Sequence, residues 1–109
     1  MADDDDATWK EFNDTVNMTA GELEKWLGTK ESKSVGQKAG DGESTGHASG
    51  RRIVELLQSK KAALTEDDYG HMRKVVGYAR RHLAQRPTGD IRQSDWRYSL
   101  MNWGHDPCK

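Results

Sequence analysis

An all-α fold is predicted, a compact bundle of about five short helices around a central one at about 65–86, and three observations predict it. Apolar residues recur at three- and four-residue spacing in several separate segments. Most of those segments open on a Thr or Ser and close on a Gly or Pro. No stretch alternates apolar and polar residues as a half-buried strand does, no internal repeat occurs, and no heptad lasts long enough for a coiled coil.

The first predicted helix covers 8–17, with Thr8 as N-cap, Glu11 three positions on and Trp9, Phe12 and Val16 as its stripe. The preceding run, 1–7, carries four consecutive aspartates that repel one another, and is expected to be disordered. Thr19 and Glu22 then form a T-x-x-E capping box for a second helix that buries Leu23, Trp26 and Leu27 and ends at Gly28. From 28 to 50 the chain is rich in Gly and Ser and reads as a loop, with a helical turn near Ser32 to Val35. A third helix is expected over about 50–63, capped by Ser49, with Ile53, Val54, Leu56 and Leu57 apolar.

The central helix is the best specified. Thr65 caps it, Glu66, Asp67 and Asp68 fill its first turn, Arg80, Arg81, His82 and Arg86 crowd its last, and Pro87 stops it. Tyr69, Met72, Val76, Ala79 and Leu83 form one apolar stripe, while Lys74, Tyr78, Arg81 and Gln85 face away from it. Gly70 and Gly77 lie beside that outer group. A last helix over about 95–103 follows, capped by Ser94 and ended by Gly104, with Trp96, Leu100 and Trp103 on one face as core or clamp residues.

Composition bounds the function. At 109 residues and 33% apolar content the chain is a single helical domain, 8–107, behind the acidic tail. No apolar run approaches a membrane span and the acidic start is unlike a signal peptide, so a cytoplasmic protein with no membrane partner is expected. Cys108 stands alone and forms no internal disulfide. The net charge of −1 conceals an asymmetry: residues 1–50 carry 5 basic and 11 acidic side chains, residues 51–109 carry 12 and 7. Such polarity suits either a basic half that meets an anion or two halves that neutralise each other.

Catalytic and metal chemistry find no constellation. His71 and His82 lie eleven positions apart on one helix, roughly 16 Å, and cannot share an ion. Ser49 follows His47 closely but lacks an orienting third group and an oxyanion site. No enzyme, metal or cofactor is expected. Two binding signals remain. Arg51 and Arg52 would occupy a helix first turn after a glycine-rich loop, unfavourable unless an anion sits there or a local acid such as Glu43 or Glu55 pairs with them. Between 69 and 97, seven basic side chains face two acids, and Gly70 and Gly77 each cost about 1 kcal/mol relative to alanine. Either a neighbouring helix or a ligand backbone approaches that glycine edge.

Four strings carry a family resemblance: VNMTAGELEKWL (16–27), GHASGRRIVELL (46–57), HMRKVVGYARRHLAQRP (71–87) and WRYSLMNWGHDP (96–107). They closely resemble the domain of unknown function 3140 family over about 9–107, with Cys108 standing where an apolar residue is the family pattern. The resemblance implies a single domain, defines no catalytic or binding residue, and favours DNA, since some members bear a DNA-binding label. The expected function is therefore a nucleic-acid-binding module using Arg51, Arg52, Lys74, Tyr78 and Arg81, mainly on phosphates. Alternatives are a protein-interaction domain and a small-anion or nucleotide binder at the helix start near Gly50.

Overall fold

A computed structural model describes residues 2–35 and 45–109 of the chain. Within them the backbone forms six α-helices and one 3-10 turn, without a strand. They are α1 (Ala2–Thr15), α2 (Ala20–Leu27), α3 (Lys30–Ser34), α4 (Thr45–Gln58), the 3-10 turn Lys61–Ala63, α5 (Glu66–Leu83) and α6 (Asp95–Asn102).

The caps sit where the residue types demand them. Thr19 and Glu22 satisfy each other's backbone N–H groups at the start of α2, and Thr65 and Asp68 do the same for α5. Ser94 accepts from the Arg97 amide to open α6. At its far end Gly104 takes φ +83°, its N–H donates to the Met101 carbonyl, and the His105 N–H reaches Leu100. This is a Schellman closure, which favours glycine at that position. The Gly104 carbonyl then accepts the Asn17 and Met18 amides, tying the link between α1 and α2 to the end of α6.

Three boundaries depart from expectation. α1 begins at Ala2 instead of Thr8, because acidic side chains favour a helix N-terminus and two of them meet bases: Asp6 pairs with Lys61 at 2.5 Å and Asp5 with Arg73 at 4.0 Å. Thr8 is buried inside the helix. The stretch 28–50 holds α3 and the first turns of α4, with residues 36–44 outside the described part. α4 starts at Thr45, so Ser49 and Gly50 are interior helical residues and not its cap.

Packing explains that last shift. α1 lies against α5, α2 against α4, and α6 meets α2, α3, α4 and α5. Phe12, Leu23, Ile53, Met72, Val75 and Leu100 are the largest fully buried apolar side chains. Gly46 and Gly50, one turn apart, let α4 approach the end of α6: a Cβ on Gly46 would stand 3.2 Å from the Trp103 indole nitrogen. Buried Asn102 joins three helices. Its Oδ1 accepts from the Trp26 indole N–H (2.8 Å) and the Ser32 hydroxyl (2.5 Å), and its amide nitrogen donates to the Ser32 carbonyl (3.0 Å).

Candidate functional site

Four sides of α5 have different fates, fixed by the 100° step of the helix. Tyr69, Met72, Val75, Val76 and Ala79 are buried; Leu83, expected to extend this stripe, is 36% exposed past the last covered turn. One flank faces α1, where Arg80 holds Glu11 at 2.8 Å. The outer line, Gly70, Lys74, Gly77 and Arg81, faces away from the core. Lys74 and Arg81 are exposed on it without a carboxylate partner among the described residues. A Cβ on Gly70 would meet nothing within 4 Å, and one on Gly77 only the Arg81 guanidinium at 3.6 Å.

The opposite flank carries an aromatic ladder. His71 stacks on Trp103 (6.3 Å between centroids), Trp103 on Tyr78 (4.2 Å), Tyr78 on His82 (5.2 Å) and His82 on Trp96 (5.5 Å), with interplanar angles of 10–15°. The Arg86 guanidinium lies over Trp96 at 5.8 Å. Two reciprocal hydrogen bonds fix the last pair: the Trp96 indole N–H donates to the His82 carbonyl, and His82 Nε2 donates to the Trp96 carbonyl, both at 2.8 Å. The ladder was concealed in the sequence as spacing, with 71, 78 and 82 on α5, 96 on α6 and 103 just past its end. Tyr78 therefore does not face outward as expected. Its ring is half-buried between Trp103 and His82, and burial pushes its hydroxyl above the usual tyrosine range, with nearby Ser99 opposing the shift.

The two arginines of α4 separate. Arg51 lines a groove between α2 and α4 with Glu24, His47 and Glu55. Arg52 turns toward α5 and meets Asp68 at 3.4 Å. Neither stands in a first turn, because α4 begins at Thr45, so the anion pocket expected at a helix start near Gly50 loses its geometric basis. Elsewhere arginines of the C-terminal half are held by acids: Arg92 by Asp90 at 2.7 Å and Arg97 by Asp106 at 3.1 Å. Of the five expected contact residues, the structure brings Arg52 and Lys74 near His71 and leaves Arg81 two turns along the same outer line.

His71 is the titratable group of this region. Its Nε2 is hydrogen-bonded to buried Ser49 Oγ at 2.9 Å. Burial first, then the positive charges of Arg52 and Lys74, hold its imidazole below the usual histidine range; Ser49 and Asp68 oppose them. A lowered folded value means that the unfolded chain takes up the proton first. Stability is then complete above the ordinary value of 6.5 and is lost as pH falls from there through the folded value. Urea midpoints between about pH 7.5 and 5 should fall for the wild type and fall less steeply for His71→Gln. Parallel curves would show that His71 is not the titrating group.

Among the described residues no group of three or more His, Cys, Asp or Glu can hold a metal ion, and no helix is long and apolar enough to cross a membrane. Comparison with curated proteins and with solved structures returns no match. The family model for proteins of unknown function DUF3140 matches residues 11–101, from the middle of α1 almost to the end of α6. On that match, which spans most of the chain, the protein belongs to this family of unknown function.

Proposed function

We propose that the chain binds nucleic acid through the phosphate backbone, on the outer face of α5, with Lys74 and Arg81 as the principal contacts. The observation that carries the reading is the open glycine line. Gly70 and Gly77 weaken an exposed helix by about 1 kcal/mol each relative to alanine. Among the described residues no neighbouring helix occupies the space at Gly70, and only a flexible arginine tip lies near Gly77. Such a line lets a ligand backbone come close to the helix between two cations. Arg52 adds a third charge if it leaves Asp68, from which it stands 3.4 Å with 41% of its side chain exposed.

About three contacts give weak, sequence-tolerant affinity that depends on salt, each neutralised phosphate adding roughly 0.7–0.9 to the logarithmic slope. Fluorescence anisotropy with mixed-sequence DNA at about 50 and 200 mM salt tests this. Affinity should fall with salt, and Lys74→Glu with Arg81→Glu should weaken it at least about tenfold and make the slope shallower by about 2. Affinity indifferent to salt would discard the reading.

The same open edge supports a second reading, a partner protein whose helix lies along Gly70 and Gly77. Affinity capture with and without nuclease separates them, since a protein complex survives the nuclease.

A further inference from the structure

We infer that Trp96 is a stacking platform for an unpaired nucleobase, so that the ligand is a single strand and the base takes the place now held by the Arg86 guanidinium. The inference rests on the nucleic-acid reading above and narrows it to one class of strand.

The platform is prepared by the fold. Trp96 is held at both its indole nitrogen and its backbone carbonyl by His82, and the imidazole lies nearly parallel to it, 10° apart in plane. Its ring therefore ends a ladder of five aromatic and imidazole rings whose inner members are locked by Trp103, itself 5% exposed. The Arg86 guanidinium also lies over the ring. That cover is loose. Arg86 stands 5.8 Å from the ring centre, near the ~6 Å limit at which a cation still feels the ring. It is exposed, it lies beyond the end of α5 at Leu83, and it has no carboxylate partner among the described residues. A planar base can displace it and extend the stack, with the guanidinium turning to a phosphate.

Position ties the platform to the basic line. Arg81 precedes His82 directly, and His82 is the residue stacked on Trp96, so one strand can meet Lys74, Arg81 and Trp96 in succession. Paired bases cannot offer a face to such a ring, whereas every unpaired base can, whatever its identity.

The test compares a single-stranded oligothymidylate with a mixed-sequence duplex of equal length, by anisotropy at low salt. The wild type should prefer the single strand. Trp96→Leu should weaken single-strand binding roughly tenfold, the order expected for one stacked base, while duplex affinity and salt slope stay as they were. Trp96→Phe, which keeps an aromatic face, should stay within about threefold of the wild type. A strand carrying 5-iodouracil should photocrosslink to the peptide holding Trp96 in the unaltered protein, a readout independent of how well any variant folds. If folded Trp96→Leu binds the single strand like the wild type, or the crosslink maps elsewhere, the platform is overturned while the phosphate reading stands. If neither oligonucleotide binds, both fall.

Discussion

Replacing Asn102 with alanine is expected to remove about 3–5 kcal/mol of folding free energy. The amide is 1% exposed and serves three partners: the Trp26 indole N–H, the Ser32 hydroxyl and the Ser32 carbonyl. Alanine leaves one buried donor, one part-buried donor and one acceptor unmade, each costing about 1–3 kcal/mol, and adds a small cavity; partial rescue of the Ser32 hydroxyl and the Trp26 indole keeps the total below the simple sum. For a domain whose whole stability is about 5–15 kcal/mol, this is a large fraction, and the melting temperature should fall by roughly 15–30 °C. Asn102→Asp keeps an acceptor for both donors but sets a carboxylate oxygen against the Ser32 carbonyl, so it should not restore stability. Ser32→Ala should cost less, because Asn102 then keeps Trp26. A loss below about 1 kcal/mol for Asn102→Ala, read from urea unfolding, would mean that the junction of α2, α3 and α6 is held by apolar packing alone.

Where a local signal decides the structure, the sequence announced it. Thr65 with Asp68, Thr19 with Glu22, Ser94, and Gly104 at φ +83° all act as their residue types require. The outer line of α5 was equally legible, since a 100° step places Lys74 and Arg81 opposite the buried stripe. What escaped depends on neighbours distant in the chain. Gly46 and Gly50 resemble loop glycines until Asn102 and Trp103 are known to lie against them. Tyr78 falls on the boundary between outer face and flank, and only the arrival of Trp103 at 4.2 Å decides its side. Arg52 could be assigned a partner only once α4 reached back to Thr45 and turned it toward Asp68. The extra turns at both α1 and α4 have a common origin. A run poor in apolar residues carries little periodicity, yet it still extends a helix whose later turns are packed.

Gly50→Ala should destabilise the protein by up to about 2 kcal/mol net, and Gly70→Ala should stabilise it by up to about 1 kcal/mol. The chemistry is identical in the two cases: one methyl group added inside a helix, with the same gain in helix propensity. Surroundings set the sign. At Gly50 the new carbon would stand 2.6 Å from the Asn102 carbonyl oxygen and 2.7 Å from Leu27 Cδ2. Leu27 can change rotamer, but the oxygen belongs to the backbone of α6, so relief requires α4 and α6 to separate and the Asn102 network to stretch with them. Overpacking of this kind costs about 1–3 kcal/mol, occasionally more, which exceeds the propensity gain. At Gly70 the methyl group meets open solvent, and the gain stands unopposed. Binding then asks a further question of the same variant. If a strand or a partner approaches the helix backbone there, Gly70→Ala should raise the melting temperature while lowering affinity, a divergence that damage to the fold does not produce. Stability and affinity rising or holding together would show that the open glycine line receives nothing.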